Sequence, residues 1–386
     1  MEEKMAGEIE KRILLIENSA SDFIKARMPY CKHLISNGWN VYALVPRDDS
    51  LTSIENLGIN IIEFDFTRRN KSPIQILRLV RFFRKVINEN QINTIHSFRL
   101  EPNLINILAN LFNKNKLIIH VTGLGIVFSK NSLKYKLLQL VSQVIYYLML
   151  LRANVMVFQN DDDLRKIWFA RFYKKAKVIY GSGVDTEYFS NELFNKDLLR
   201  EKYGISKGQK VFIIITRLIW EKGIKELAEA FMSKELKNLD LKLLIVGWAD
   251  KDNPQHVDQE YIDSFYDVGQ ISFLGKIEDV RNVLSLSDVF IYPSYYREGI
   301  PRGILEALSM GLPIITTNTP GCNLTVENKK NGFLIKPKSS KAIQESVLKI
   351  LEKKNLNSMG DESRNIANEK FSNEIIYSLF ENVYNI

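Results

Sequence analysis

Cysteine is almost missing from this sequence. Only Cys31 and Cys322 occur in 386 residues, far apart and in no metal-ligand or disulfide spacing. That excludes a disulfide-stapled scaffold or a zinc module and points to a reducing compartment. No run of about 18 uncharged apolar residues occurs, so a membrane-spanning helix is not expected. The opening stretch MEEKMAGEIEKR is charged and lacks the apolar centre of a signal peptide. Low-complexity segments are absent, as are internal repeats beyond a strand–helix rhythm. The 45% hydrophobic content is enough for two cores of roughly 150–200 residues each.

Acids are scarce in one half only. Residues 1–190 hold 27 Lys and Arg against 18 Asp and Glu, whereas the remainder holds 26 against 27. The whole basic excess, a net charge of +8, therefore sits in the first half. It implies an anionic partner, a membrane surface or a nucleic acid, but no compact nucleic-acid-binding motif is present.

Short apolar runs alternate with longer helical patterns. RILLIE (12–17), NVYALVP (40–46), NIIEFDF (60–66), NTIHSF (93–98), KLIIHVTG (116–123) and NVMVFQ (154–159) predict buried strands. A glycine-rich break, KVIYGSGVDTEYFS (177–190), predicts a hinge region. A second series follows, with strands expected at 210–217, 241–247, 271–275, 288–294 and 313–318, and a helical tail over 338–386. The fold class expected is α/β, two doubly wound Rossmann-like domains facing across a cleft, with ligands beyond the carboxyl ends of the strands. The expected boundaries are 1–188, 189–370 and a C-terminal helix, 371–386, packing back toward the first domain.

Three post-strand loops of the second half carry unusual polar residues. Arg217, with Lys222 five positions later before a helix near Gly223, makes a diphosphate site from two cations and a helix N-terminus. Both are equally readable as surface charges. Gly275, Lys276 and Ile277 offer main-chain groups at a strand end, or a plain turn. In YYREGIPRGILEALSMGLPI (295–314), Pro301 suits the first helical position. Glu306 lies about one and a half turns inside, where a carboxylate can accept both hydroxyls of a ribose. Glu298, before the helix, faces whatever the phosphates carry.

These motifs, REGIPRGILEALSMGLPIITTNTPGC and TRLIWEKGIKEL, with HVTGLGIVFSK and VIYGSGVDTEYF, resemble the retaining, two-lobed (GT-B type) nucleotide-sugar glycosyltransferases whose glutamate pair is separated by seven residues. The resemblance runs from about residue 12 to 380 and is nearest to the capsule and O-antigen branch. In particular it is similar to the subgroup that includes the transferases adding N-acetylgalactosamine to undecaprenyl-diphosphate-linked bacillosamine. It implies that Arg217 and Lys222 hold the diphosphate and neutralise the departing nucleotide. Glu306 would bind ribose, Glu298 with the amides of Gly299 and Ile300 the donor sugar, and the VTGLG loop, with Gly123 and Gly125, would reach toward the phosphates. Glu298, Arg217 and Lys222 are then the catalytic candidates, with no cofactor and no metal, since fixed cations can stabilise the leaving group.

Two departures accompany it. Thr122 stands where many relatives have a first-domain histidine, and Thr122 and His96, the latter at the end of its strand, are the acceptor-site candidates; His120 reads as a core residue. After PGC the chain has NLTVE where relatives often carry an acid, and Glu327 follows. Asp161–Asp163 read as helix-capping acids.

The segments 72–90, 129–152 and 168–177 mix cations with apolar or aromatic residues, suiting the interface of an anionic bilayer. The expected membrane patch is Arg78, Arg81, Arg84, Lys85, Lys174 and Lys175. With a polyprenyl-diphosphate-linked saccharide as acceptor and a UDP-sugar as donor, the resemblance implies a peripheral protein on the inner face of a bacterial membrane. A nucleotide-sugar epimerase of the same architecture and a non-catalytic membrane- or glycan-binding protein stay open as alternatives.

Overall fold

A computed structural model describes residues 10–48, 50–51, 57–65, 72–250, 253–264, 269–353 and 356–385. The charged start of the chain and Phe66, at the end of the third expected strand, lie outside them.

The chain divides into two compact units. Unit 1 comprises residues 1–123, 132–179 and 377–386, and unit 2 comprises 124–131 and 180–376. Unit 1 is built on β1 (Arg12–Ile16), β2 (Asn40–Pro46), β3 (Asn60–Phe64), β4 (Thr94–Phe98), β5 (Lys116–Val121), β6 (Val155–Phe158) and β7 (Ala176–Val178), in the order 3-2-1-4-5-6-7. Unit 2 is built on β8 (Lys210–Ile215), β9 (Leu241–Val246), β10 (Ile271–Gly275), β11 (Val289–Tyr292), β12 (Ile314–Thr317) and β13 (Gly332–Ile335), in the order 10-9-8-11-12-13. Every pairing between these strands is parallel. Central strands are covered on both faces, which is why they read as unbroken apolar runs and not as alternation; all four residues of β6, β11 and β12 are buried.

Both sheets run outward from their first strand in two directions, so each has a switch point: β1 beside β4 in unit 1, β8 beside β11 in unit 2. Loops leaving such neighbours diverge and open a crevice at their carboxyl ends. In unit 2 those loops are residues 216–222 and 293–300.

Local rules set the flanking helices. Ser72 caps the Pro73–Glu89 helix by accepting the Gln75 N–H at 3.3 Å, while the Gln75 side chain accepts the Ser72 N–H at 2.8 Å. Asn160 caps the Asp161–Lys166 helix, accepting the Asp163 N–H at 2.7 Å, and the three aspartates form its first turn. The last turns of the chain belong to unit 1: Tyr377, Phe380 and Tyr384 pack their rings around Tyr30.

Candidate active site

Two glycines let the strand ends of unit 2 converge. Gly247, after β9, has φ +153° and lies so close that a Cβ would sit 1.8 Å from the Thr216 carbonyl oxygen. Gly223, with φ +75°, starts the Ile224–Phe231 helix against β11, where a Cβ would meet the Pro293 carbonyl oxygen at 2.4 Å. Any side chain there would push the two loops of the switch point apart.

Lys222 stands at that point, on a single 3-10 turn, its side chain 4% exposed. Its ammonium donates to Glu298 Oε1 at 2.6 Å, Glu298 Oε2 at 2.8 Å and Tyr292 Oη at 2.6 Å. It also lies 5.5 Å from the centre of the Tyr296 ring. Glu298 further accepts from the Tyr292 hydroxyl and from Ser294 Oγ, each at 3.2 Å. Burial, then the Glu298 carboxylate, push the Tyr292 phenol well above its usual range, so it stays protonated. Cys322, buried by the same group, has its thiol pushed up to about 11, mainly by burial, and is not a nucleophile at neutral pH. The result is a cation and an anion locked together at a strand end.

Arg217 leaves β8 one loop away. Its guanidinium donates to Asp250 at 2.8 Å and its side chain is 38% exposed, so part of the fork faces solvent. Both expected diphosphate ligands thus have carboxylate partners. Ile277 is partly buried against the core beside Gly275, where a Cβ would meet nothing within 4 Å.

The Arg302–Ser309 helix begins one residue later than expected: Pro301 is its N-cap, in extended conformation, instead of its first helical residue. Gly299 and Ile300, just before it, are buried, and Gly321 folds onto Gly299 so tightly that a Cβ would lie 1.7 Å from its carbonyl oxygen. Glu306 is buried on this helix and accepts from Arg302 Nε at 2.7 Å, an i,i+4 ion pair. Arg302 was not singled out in the sequence.

Of the first-half loop, Gly125 has φ +64°, clusters with unit 2 and donates its N–H to the Arg297 carbonyl at 2.9 Å, next to Glu298. Gly123, with φ +139°, and half-buried Thr122 remain with unit 1.

His96 requires a correction. It is fully buried, not presented at a strand end: Nδ1 meets the Tyr384 hydroxyl at 2.7 Å, Nε2 meets His120 Nδ1 at 3.2 Å, and its ring stacks on Phe98. Burial holds both imidazoles well below their usual range, which makes them neutral packing groups. Lys175 is likewise engaged, donating to the Leu151 and Ala153 carbonyls at 3.1 and 2.9 Å. Arg78, Arg81, Arg84, Lys85 and Lys174 are exposed. Glu327 pairs with Lys330 and Lys370 on the surface, and those two ammonium groups bring its carboxyl down to about 2.

Residues missed in the sequence are Tyr292, Ser294, Asp250 and Tyr296. Tyr292 ends an apolar strand and reads there as a core aromatic; only its position at a post-strand loop could have marked it.

The chain is similar to glycosyltransferases along most of its length. The family described as glycosyl transferases group 1 matches residues 195–368, and the one described as glycosyl transferase 4-like matches residues 12–160. Among curated relatives, the N,N'-diacetylbacillosaminyl-diphospho-undecaprenol alpha-1,3-N-acetylgalactosaminyltransferase of Campylobacter jejuni is 28% identical, over 89% of this chain and 90% of its own. The UDP-Gal:alpha-D-GlcNAc-diphosphoundecaprenol alpha-1,3-galactosyltransferase of Escherichia coli is 28% identical over 77% of this chain and 76% of its own. Among solved structures, Anabaena HepE in complex with UDP and glucose superposes with a TM-score of 0.80 at 19% identity, covering 97% of this chain and all of that one. At that identity the likeness is one of fold, two parallel Rossmann-like sheets.

Proposed function

The chain belongs to the group 1 glycosyl transferases, and on that premise we propose a retaining, metal-independent hexosyltransferase. It moves a hexose or N-acetylhexosamine from a UDP-sugar to a polyprenyl-diphosphate-linked saccharide, in the assembly of a bacterial surface or glycoprotein glycan. It works as a peripheral protein on the inner face of the cell membrane. The observation that carries the reading is the Lys222–Glu298–Tyr292 cluster at the switch point of unit 2, flanked by Arg217 and followed by the helix bearing Glu306.

Each part has a task. Arg217 and Lys222 take the diphosphate and stabilise the charge that develops as the glycosidic bond breaks. Glu306 accepts the ribose hydroxyls, which requires Arg302 to share or yield it. Glu298, fixed by three donors, holds the donor sugar. Retention follows front-face attack, with the leaving phosphate receiving the acceptor's proton. The acceptor is taken by unit 1. Relatives whose names specify undecaprenyl-diphosphate acceptors support that substrate class.

The test is incubation with UDP-GlcNAc, UDP-GalNAc, UDP-Glc and UDP-Gal and a short polyprenyl-diphosphate-linked monosaccharide, with transfer read by mass and sugar configuration by proton NMR. Transfer from one of them with retained anomeric configuration is expected. Conversion of the donor with no acceptor present would instead make the chain an epimerase, and no transfer from any donor would refute the assignment.

A further inference from the structure

The Leu133–Arg152 helix is apolar on both sides. Ser142, Gln143, Tyr146, Met149 and Leu150 face the body of unit 1 and are buried. Leu133, Leu137, Leu140, Val144, Leu148 and Leu151 are exposed, Leu133 by 85% and Leu137 by 63%. Steps of four, three, four, four and three residues align them in one stripe along a 20-residue helix, about 30 Å long. An outward stripe of this kind is unusual on a protein that meets only water.

Neighbouring segments extend it. Gln143 accepts the Trp168 N–H at 3.0 Å and donates to the Lys166 carbonyl at 2.8 Å, and the Phe169 ring lies 4.8 Å from that of Tyr147. The 168–172 turn is thereby fastened along the helix, with Trp168 and Phe172 exposed, Phe172 by 71%. At the far end Arg152 donates to the Asn110 carbonyl at 2.7 Å, and Phe112 stands exposed in the turn beyond.

The charge around this stripe is mostly positive, the three aspartates that open the Asp161–Lys166 helix apart. Between Glu101 and Asp161 there is no acid but six Lys and Arg, and between Asp163 and Asp185 no acid but six more. No helix among the described residues is long and apolar enough to cross a membrane, so a bilayer partner would be met side-on.

We propose that this face of unit 1 docks on an anionic lipid bilayer. The stripe and the Trp168–Phe172 turn sink into the boundary between headgroups and acyl chains, while Lys134, Lys136, Arg171 and Lys174 contact phosphates. The Pro73–Glu89 helix, with exposed Arg78, Arg81, Arg84 and Lys85, packs on Leu100–Ala109, which packs on Leu133–Arg152. It lies in the same layer and adds long-range attraction without insertion. The proposal deepens the reading of a lipid-linked acceptor and rests on it for its purpose.

Flotation of the full chain with vesicles tests the surface without any transfer reaction. Binding should be at least tenfold stronger to phosphatidylcholine vesicles containing about 30 mol % phosphatidylglycerol than to neutral ones. L137E/V144E and W168A/F172A should each reduce it at least tenfold. Leu198→Glu, an exposed leucine of unit 2, should leave it unchanged. UDP affinity, measured in parallel, should be the same in all four proteins and certifies folding. Wild-type protein that ignores anionic vesicles, or stripe variants that bind like wild type, would overturn the proposal even where sugar transfer succeeds. So would a dimer that L137E/V144E converts to monomer in a protein without vesicle affinity, since the stripe would then be a self-association face. Vesicle binding lost in the stripe variants, alongside a wild type that transfers no sugar, would uphold the surface and sink the enzymatic reading instead.

Discussion

Replacing Glu298 with Gln should tighten the binding of UDP, while replacing Lys222 with Met should weaken it. An ammonium has three N–H bonds, and Lys222 directs them at both oxygens of Glu298, 2.6 and 2.8 Å away, and at Tyr292, 2.6 Å away. A diphosphate reaching that ammonium must displace one of these acceptors and then lie beside the carboxylate. Two like charges about 5 Å apart repel by about 3 kcal/mol at an effective dielectric of about 20. The Glu298 side chain is 20% exposed, and solvent screening leaves about half of that, close to a tenfold gain in affinity for the glutamine variant. Lys222→Met removes a charge-assisted hydrogen bond worth about 1.5–3 kcal/mol, or about 10–150-fold in affinity. Because UDP carries no hexose, loss of the contact proposed between Glu298 and the donor sugar does not enter. Both variants should nonetheless lose turnover with a UDP-sugar. Isothermal titration with UDP at fixed ionic strength reads the two signs directly. A glutamine variant that binds UDP more weakly than wild type, or a methionine variant that binds it equally well, would refute the assignment of Lys222 to the diphosphate.

Glu306→Gln separates two roles in one protein. The i,i+4 pair with Arg302, whose side chain keeps partial contact with solvent, contributes only about 0.3–0.5 kcal/mol of stability, whereas hydrogen bonds from ribose to the carboxylate would make the change cost about 10–150-fold in UDP affinity; unchanged affinity on calorimetry would leave Glu306 a helix ion pair. Gly223→Ala should cost about 2–4 kcal/mol, since its φ of +75° and the 2.4 Å approach to the Pro293 carbonyl both oppose a methyl group; an unaltered urea midpoint would contradict the packing. The buried imidazoles give stability a pH slope. His96 and His120 are held neutral in the fold and take up protons near pH 6.5 when unfolded, so their contribution is full above that pH and falls below it. The slope is about 1.4 kcal/mol per pH unit per imidazole, and a melting temperature that stays flat from pH 7 to pH 5 would mean that both of them are protonated in the fold.

Burial on both faces explains why the fold was legible. Eleven strands were expected and all are present, because a strand in the middle of a parallel sheet shows a solid apolar run with ends marked by Gly, Asn or Pro. The two unexpected strands, β7 and β13, are edge strands of three and four residues. One reads AKV after two lysines and the other GFLI after an asparagine. Each depends on its neighbour for the pairing, which a local pattern does not display. The same geometry accounts for the misplacement of His96. In a strand covered on both sides no residue faces water, so a polar residue at its end cannot be told by spacing from one aimed at a ligand, and all five residues of β4 are buried.

For the site, the cations and glutamates were recognisable because each follows a strand, where backbone polarity and exposure converge. Their pairing was not recognisable, since Lys222 and Glu298 are joined only when β8 lies beside β11, a strand order that skips two intervening strands. The helix over 133–152 poses the opposite problem. Its sequence is apolar almost all round, so period alone cannot say which side meets the sheet. Once Met149 and Leu150 are seen to be buried, Leu137, Val144 and Leu148 are left exposed among the described residues. A purely structural helix in that position would carry Lys, Glu or Gln along the outer stripe at no cost to the core. Leucine and valine there suit the bilayer contact proposed above, and the cations at both ends of the stripe suit its negative charge.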